Sequence, residues 1–264
     1  MEPITSRQNS RVKFLRSLQQ RKGRLESGMF IVEGIHAVGQ AIESGAEVVE
    51  ISFAPQLLTS EYANNLIAVQ QAQHIPCLSL ATDVFETLAE KENPQGILAV
   101  VRYRGARLED LNPSNFAWGV ALVSPQDPGN VGTILRTLDS VGADGLLLLD
   151  ASLDVTHPGT VRASMGALFW HPLVSTSFSE FAGWANNHGY HIYGTSAHAQ
   201  EDYRTYNSYH KPAILLMGSE RTGLSEEQAA VCERMLQMPM HGKVTSLNLA
   251  VATGVMLYEM LAKL

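Results

Sequence analysis

The second half of the chain alternates short apolar runs with helix-length segments, and this alternation restricts the possible folds more than any other feature. The runs are rich in Val, Leu and Ile, as expected for strands buried on both faces. Strands that alternate with helices favour a mainly parallel sheet covered by helices on both sides. Strands are predicted at residues 116–124, 145–150, 172–176, 190–195, 213–218 and 234–238, with a long closing helix that begins at Ser246.

The first hundred residues have the same α/β character in a smaller unit. One helix is predicted to bury Leu58, Tyr62, Leu66 and Val69, and a later one to begin at Thr82 as its N-cap. The predicted strands are residues 29–33, 48–53, 75–80 and 96–103, and the predicted helices are residues 35–42, 57–73 and 83–90.

The segment 104–115 is polar and contains Gly and Pro, which is typical of a linker. We therefore predict an α/β protein with a smaller domain over 1–103, a linker over 104–115 and a larger domain over 116–264.

Composition excludes several classes of protein. No apolar run approaches the length of about 20 residues that a membrane span needs, and the start Met-Glu-Pro lacks the apolar stretch of a signal peptide. We therefore expect a cytoplasmic protein. Cys77 and Cys232 lie far apart, and none of the nine histidines has a metal-site spacing, so no metal is expected. The sequence also lacks Gly-x-Ser-x-Gly, which argues against a serine hydrolase.

Charge is unevenly distributed along the chain. The net charge is −7, yet residues 1–28 carry seven basic and two acidic side chains, a net charge of +5. One interpretation is a solvated amphipathic helix, because Val12, Leu15, Leu18 and Leu25 have nearly helical spacing. The other is a segment that contacts phosphates. The candidate RNA-binding residues are Arg7, Arg11, Lys13, Arg21, Lys22 and Arg24.

Residues 124–137 read Ser-Pro-Gln-Asp-Pro-Gly-Asn-Val-Gly-Thr-Ile-Leu-Arg-Thr and lead from a predicted strand into a helix. Asn130 is predicted to cap this helix, and Arg136 is predicted to lie off its apolar stripe, free to face a cleft. A helix N-terminus at a strand end suits an anion, although a capped turn of this kind needs no function. The segment lacks Gly-x-Gly-x-x-Gly, so a dinucleotide fingerprint is absent.

Two further segments have candidate site residues. In the first, a buried strand leads into Gly218, Ser219 and Glu220, at the strand end where α/β sheets bind ligands. In the second, a Gly-containing loop after Met238 leads to Ser246 and Asn248 at the start of a helix rich in small residues. A solvated turn and an ordinary N-cap, predicted at Ser246, are the simpler interpretations of the two segments.

Together and in this order, the three segments resemble the SpoU (TrmH-like) family of SPOUT RNA methyltransferases. The resemblance rests on Asn130-Val-Gly-Thr-Ile-Leu-Arg136-Thr137, on Gly218-Ser219-Glu220, and on Pro239-Met240 followed by Ser246-Leu247-Asn248. The opening also resembles the family's ribosomal-protein-like substrate-binding domain, through Ile4-Thr-Ser, Asn9, Val12-Lys13 and Phe30-Ile-Val-Glu-Gly34.

This resemblance implies a trefoil-knotted C-terminal domain, a homodimer formed through that domain, and S-adenosylmethionine as methyl donor without a metal. The implied reaction is methylation of a ribose 2′-hydroxyl of structured RNA, with ribosomal RNA favoured over transfer RNA. The implied catalytic residues are Arg136, Asn130, Glu220, Ser246 and Asn248, and the implied donor-binding residues are Thr195, Gly218, Met238 and Leu247.

Three other functions stay open from the sequence. The chain could be an inactive relative that binds RNA or ribosomes, a transfer RNA 2′-O-methyltransferase, or a small-molecule enzyme that uses another nucleotide. The intact Asn130, Arg136, Glu220 and Asn248 argue against the inactive relative. The missing glycine fingerprint and the basic segment argue against the small-molecule enzyme.

Overall fold

The structure, a computed structural model, describes residues 2–90 and 92–264. These residues form two compact units. The front unit contains the residues up to Arg104 together with Thr156–Arg162, and the back unit contains Gly105–Val155 and Ala163–Leu264. Within the described residues, no helix is both long and apolar enough to cross a membrane. The domain bounds 1–103, 104–115 and 116–264 stay a prediction.

The front unit is a four-stranded sheet with helices packed on it. Its strands are β1 (Met29–Glu33), β2 (Val48–Phe53), β3 (Cys77–Ser79) and β4 (Ile97–Arg102), and its helices are α1 (Ser10–Leu18), α2 (Arg21–Ser27), α3 (Ile35–Glu43), α4 (Glu61–Ala72) and α5 (Thr82–Glu86). The strand order is β1-β4-β2-β3, antiparallel except for the β2–β3 pair. Helix α1 buries Val12, Leu15 and Leu18 in the core of this unit.

Two helix predictions in the front unit are wrong. Helix α4 begins after Ser60, whose hydroxyl accepts a hydrogen bond from the Ala63 N–H, so Leu58 precedes the helix. Its buried side chains are Ala63, Ile67 and Gln70, whereas Tyr62 and Val69 are more than half exposed. Helix α5 already includes Thr82, and Ala81 is its N-cap. Burial against neighbouring elements therefore overrides the apolar periodicity here.

The back unit is built on a seven-stranded sheet. Its strands are β5 (Trp118–Val123), β6 (Gly145–Leu149), β7 (Leu173–Thr176), β8 (His191–Thr195), β9 (Glu201–Asp202), β10 (Ala213–Met217) and β11 (Arg234–Gln237). The helices that follow these strands are α6 (Pro128–Val141), α7 (Pro158–Ala163, grouped up to Arg162 with the front unit), α8 (Phe178–Asn187), α9 (Glu226–Ala230) and α10 (Leu249–Leu261).

All the described strand pairs of this sheet are parallel, and the strand order is β7-β6-β5-β10-β8-β11-β9. Strands β5, β6 and β10 are buried along their whole length, as expected for a sheet covered on both faces. The predicted fold class is confirmed. Strand β9 was not predicted because Glu201 and Asp202 are polar and form no apolar run. Parallel pairing brings the carboxyl ends of all these strands to one edge.

Candidate active site

Helix α6 begins at the sheet edge with a cap that differs from the predicted one. Asp127 is the N-cap, and its Oδ1 accepts a hydrogen bond of 2.7 Å from the Gly129 N–H. Pro128 follows at the first helical position, where a missing N–H and a fixed φ are favourable. The prediction that Asn130 caps the helix is therefore wrong. Asn130 lies inside the first turn, and its buried side chain is free for other contacts.

The last helix is capped by Asn248. Its Oδ1 accepts hydrogen bonds from the backbone N–H groups of Ala250, at 2.9 Å, and Val251, at 3.3 Å. The predicted cap, Ser246, is wrong, because Ser246 lies in the exposed loop two residues before the cap. Burial begins at Leu249, so the helix starts where its apolar packing starts.

A chain of side-chain hydrogen bonds joins the three motifs. Asn248 donates from Nδ2 to the Oδ1 of Asn130 at 3.0 Å, and Asn130 donates from Nδ2 to the Oε1 of Glu220 at 3.4 Å. Asn130 is thus in direct contact with Glu220, which is 90 positions away in the sequence, and with Asn248, which is 118 positions away. The chain fixes a carboxylate and two amides at the N-termini of α6 and α10, which is an arrangement that can orient a polar ligand.

Arg136 is not part of this hydrogen-bonded chain. It is exposed on α6, six residues after Asn130, which corresponds to about 9 Å along the helix axis. As predicted, it lies off the buried stripe of Val131, Ile134, Leu135, Leu138 and Val141. An exposed guanidinium in this position can hold a phosphate or a developing negative charge.

The predicted donor-binding residues lie at neighbouring strand ends. Thr195 ends β8, Gly218 follows β10 and Met238 follows β11, and these three strands are adjacent in the sheet. The Thr195 hydroxyl lies 3.5 Å from the sulfur of Met217, the last residue of β10. A ligand at this edge can therefore contact all three loops.

Gly218 is required by a close approach of backbone. A Cβ at this position would lie 2.2 Å from the carbonyl carbon of Gly223. The backbones of Ser219 and Gly223 exchange two hydrogen bonds, of 3.0 and 3.1 Å, and the Ser219 hydroxyl contacts that of Thr222 at 2.7 Å. This tight turn holds Glu220 in the position from which it meets Asn130.

The loop between β11 and α10 is built differently. Among the described residues, 238–247 neither donate nor accept a backbone hydrogen bond that closes a turn, and Leu247 is exposed. Backbone N–H and C=O groups must be satisfied by some partner. Those of this loop are available to water or to a ligand.

Strand β9 places an ion pair near the same loop. The Arg204 guanidinium hydrogen-bonds both carboxylate oxygens of Asp202, at 2.5 to 3.2 Å, and its backbone N–H also donates to this group. These hydrogen bonds from Arg204 lower the pKa of Asp202 to about 2, with a smaller contribution from His241 in the loop. Asp202 is therefore ionised at any physiological pH.

The six candidate RNA-binding residues have different surroundings. Arg24 is buried and donates to the carbonyls of Leu18 and Gln19, at 2.9 and 2.8 Å. Arg11 pairs with the buried carboxylate of Glu50. The other four, like Arg11, are exposed: Arg7, which pairs with Asp83, Lys13, Arg21, and Lys22, which pairs with Glu26. Across residues 2–90 and 92–264, no three His, Cys, Asp or Glu side chains are grouped as metal ligands would be.

Two features of this site escaped the sequence analysis. The capping role of Asp127 could have been found from the Asp-Pro pair, because Pro favours the first position of a helix. Ser124, at the end of β5, has a φ of +44°, and Asp150, after the neighbouring β6, has a φ of +50°. Such backbone strain clusters at functional sites, but no sequence signal marks it for Ser or Asp.

Comparison with known proteins agrees with this geometry. Residues 118–258 match the SpoU rRNA Methylase family, and residues 9–99 match the MRM3-like substrate binding domain. A 23S rRNA (uridine(2479)-2′-O)-methyltransferase of Streptomyces viridochromogenes is 32% identical over 97% of this chain and 90% of its own length. A 23S rRNA (guanosine(2553)-2′-O)-methyltransferase of Bacillus subtilis is 30% identical over 98% of this chain and 99% of its own length.

A solved structure gives the same result. The AdoMet-bound rRNA methyltransferase from Sinorhizobium meliloti superimposes with a TM-score of 0.88 and 34% identity, covering 98% of this chain and 96% of that one. The family resemblance predicted from the sequence is thereby confirmed. Since the family model spans more than half of the residues and full-length relatives share 30–32% of them, the chain belongs to the SpoU rRNA methylase family.

Proposed function

We propose that this protein transfers a methyl group from S-adenosylmethionine to a ribose 2′-hydroxyl of ribosomal RNA. The observation that carries the proposal is the 3.0 Å hydrogen bond between Asn248 and Asn130, which brings the motifs together at the carboxyl edge of the sheet. The names of the relatives agree with the activity, the donor and the substrate class predicted from the sequence.

The loops at the sheet edge fit the methyl donor. Its adenosine and amino acid parts need hydrogen-bonding groups and an apolar surface. In the part of the chain that the structure describes, residues 238–247 make no turn-closing backbone hydrogen bond, so their N–H and C=O groups are available beside Met238 and Leu247. Gly218 and Thr195 line the neighbouring strand ends. When bound, S-adenosylmethionine supplies a methyl group already activated by its sulfonium.

The chain's own residues orient the ribose. We assign the holding of the ribose and its phosphate to Asn130, Glu220, Ser246 and Asn248. Three of these residues form one hydrogen-bonded chain, and Ser246 lies two residues before Asn248 in the sequence. Alignment of the hydroxyl with the methyl group can lower the barrier by up to about 7–11 kcal/mol.

Arg136 has one of two roles at the 2′-oxygen. As a base it would remove the hydroxyl proton, whereas as a cation it would stabilise the developing alkoxide and bind the flanking phosphate. The second role is favoured because a guanidinium stays protonated in proteins and offers a forked set of donors. Arg136→Lys helps to separate the two roles, because Lys keeps the positive charge and loses the forked set of donors.

We assign the first contacts with RNA phosphates to four exposed members of the basic segment, Arg7, Lys13, Arg21 and Lys22. Arg11 is also exposed, but its guanidinium pairs with the buried Glu50 carboxylate, and Arg24 is buried, so the contribution of these two to RNA binding is smaller. The MRM3-like substrate binding domain match over residues 9–99 supports this assignment.

We propose a homodimer formed through α10. A groove of about 470 Å³ lies between this helix and α6, lined by Thr133, Thr137, Ala250, Val251, Gly254, Val255 and Tyr258. Val251, Val255 and Tyr258 are large apolar side chains left exposed, so a second copy is the occupant that would cover them. Val255→Glu is expected to give a monomer in sedimentation or light-scattering measurements.

We also propose that the end of the chain forms a trefoil knot and that the protein works in the cytoplasm. Strands β8 and β10 lie between β11 and β5 in the sheet, yet α10, which follows β11, contacts β10 and packs on α6. A knot forms when the end of a chain passes through a loop of earlier segments, and this return of α10 to α6 supports such a path. A ribosomal RNA substrate supports the cytoplasmic location.

The proposal is tested with tritiated S-adenosylmethionine and total RNA from cells that lack the gene. We expect label at one ribose 2′-oxygen of ribosomal RNA and none with Arg136→Ala. Label in transfer RNA instead would correct the substrate class. Donor binding without any label would favour an inactive RNA- or ribosome-binding relative, and no donor binding by calorimetry would overturn the methyltransferase assignment.

A further inference from the structure

The back unit is acidic as a whole. It has eight basic and fifteen acidic side chains, so its average field repels a polyanion such as RNA. An RNA substrate is therefore best held against this unit where basic side chains lack a partner inside the protein. The surroundings of the eight basic residues show where those places are.

Five of the eight basic side chains are already engaged inside the unit. Arg107, Arg204 and Lys263 form ion pairs with carboxylates. Lys211 and Arg234 lie over aromatic rings, at 5.6 and 6.0 Å from the ring centres. A cation in such a contact has less of its charge available to a further anion.

The three that remain are Arg136, Arg221 and Lys243. All three are exposed, and within the described residues none of their side chains has a hydrogen bond, an ion pair or a ring contact. Each lies in or directly beside one of the three motifs: Arg136 on α6, Arg221 in the turn after β10, and Lys243 in the loop before α10. The free cations of an otherwise acidic unit thus belong to the segments that form its candidate site.

Arg221 is positioned by the turn that follows β10. The backbones of Ser219 and Gly223 exchange two hydrogen bonds, so Arg221 lies within a closed turn. Its Cα is one peptide unit, about 3.8 Å, from that of Glu220, whose carboxylate accepts the hydrogen bond from Asn130. In the described part of the chain Arg221 makes no ion pair with Glu220, so its guanidinium is available to a phosphate.

Lys243 lies in the open loop between β11 and α10. It precedes Asn248, the cap of α10 and the donor to Asn130, by five residues. Five residues of extended chain span at most about 18 Å, so the Lys243 Cα lies within that distance of the Asn248 Cα. Its flexible stem and compact ammonium suit a single phosphate oxygen, whereas the guanidinium of Arg221 can bind two.

We propose that Arg221 and Lys243 bind RNA phosphates next to the target nucleotide, beside the phosphate assigned to Arg136. This inference rests on the proposed methyltransferase function. Phosphate contacts carry no base information, but they fix the register and orientation of a nucleic acid on a protein. Two such contacts on the loops of the site hold the target ribose at the donor. Arg221 and Lys243 are substrate-positioning residues and take no part in the proton or methyl transfer.

The test measures methyl transfer and RNA binding in Arg221→Gln, Lys243→Gln and the double variant, with an unmodified 23S ribosomal RNA transcript. Each single substitution is expected to raise KM for RNA about tenfold, the typical effect of losing a hydrogen bond to a charged group. The value of kcat should change by less than about twofold, because these contacts are the same before and during transfer.

The salt dependence of binding is the readout that a purely structural role would not change. The slope of log affinity for RNA against log salt concentration should fall by about 0.7–0.9 in each single variant and by about twice as much in the double variant. Arg221→Lys keeps the charge and should keep the slope, while it loses the forked donors and part of the affinity. This titration needs no methyl transfer.

Lys211→Gln is the matched control. It removes the same charge from an exposed position of the same unit, but at the opposite edge of the sheet, two residues before β10 begins. Its KM and salt slope should equal those of the wild type. The three glutamine single variants should unfold within about 2 °C of the wild type, because the substituted side chains are exposed.

Wild-type slopes in both Arg221→Gln and Lys243→Gln, or an equal loss in Lys211→Gln, would overturn the proposal. A wild-type slope in only one of them would remove that residue from it. A weaker affinity for S-adenosylmethionine by calorimetry, with an unchanged slope for RNA, would assign the cations to the donor's carboxylate instead. A wild-type protein that neither binds donor nor transfers methyl would overturn the underlying function, which is a distinct outcome.

Discussion

The two units of this protein differ in the charge of their buried polar side chains. In the described part of the front unit, two charged side chains are almost fully buried, Arg24 at 4% and Glu50 at 1% exposure. The buried polar side chains described in the back unit are all neutral, namely Asn130, Ser164 and Thr253. The charges of its candidate site, Arg136 and Glu220, lie on the surface.

This difference separates charges that have contacts inside the fold from charges that are available to a ligand. A buried charge is tolerated only with a partner, so the front unit depends on the contacts that Arg24 and Glu50 make inside it. The exposed charges of the candidate site, Arg136 and Glu220, need no buried partner and are available to a ligand. Substitutions that affect the buried charges should therefore lower the stability of the front unit, whereas substitution of the exposed site charges should lower activity.

The largest expected effect is on activity, at Arg136. Arg136→Ala is expected to lower kcat by about 10²–10³-fold, the typical cost of losing one group that stabilises developing charge. Its free energy of unfolding should change by less than about 0.5 kcal/mol, because the side chain is exposed. Single-turnover methylation and thermal unfolding measure the two quantities. A destabilised Arg136→Ala protein would break the contrast between the units.

The next effect is on stability, at the Arg11–Glu50 pair. Arg11→Met leaves the buried carboxylate of Glu50 without its charged partner. Since the Arg11 side chain is half-exposed and the Ser52 hydroxyl still donates to Glu50, we expect a loss of about 1–3 kcal/mol in the free energy of unfolding. Urea unfolding measures this loss. The control is Arg11→Met combined with Glu50→Gln, which removes the uncompensated charge and should recover part of the stability. Wild-type stability in Arg11→Met would mean that the fold does not need the Arg11 guanidinium, which would then be available to bind RNA.

The sequence predicted the elements whose signal is local. Strands β1 and β2 have their predicted bounds, and the remaining predicted strands are present with ends shifted by a few residues. These strands are buried and rich in branched apolar residues, and such runs require no knowledge of the partner strand. The residues of the candidate site could be named from three motifs that together resemble one family.

Features that depend on distant contacts could not be predicted. The buried face of α4 includes Gln70 and excludes Val69, which no scale of residue hydrophobicity would indicate. The contact of Asn130 with Asn248 joins positions 118 residues apart. The Asn130 amide makes this contact, and Asp127 caps α6 instead.

A third prediction separates the cap from the site at Asn248. Asn248→Ala removes both the cap of α10 and the donor to Asn130, and it should cost about 1 kcal/mol of stability as well as activity. Asn248→Asp is the control, because Asp caps as well as Asn but cannot donate to Asn130. We expect it to unfold like the wild type and to methylate slowly. Equal activity in Asn248→Asp and wild type would remove the hydrogen-bonded chain from catalysis.

The smallest effects are expected for the exposed lysines of the front unit. Lys13→Gln and Lys22→Gln should each leave the free energy of unfolding within about 0.5 kcal/mol of the wild type, since neither side chain is buried. If each contacts one phosphate, the slope of log affinity for 23S ribosomal RNA against log salt concentration should fall by about 0.7–0.9 per substitution. Lys22→Arg keeps the charge and should keep the slope. An unchanged slope in both glutamine variants would show that Lys13 and Lys22 do not contact RNA phosphates, and it would leave only Arg7 and Arg21 of the four assigned contacts.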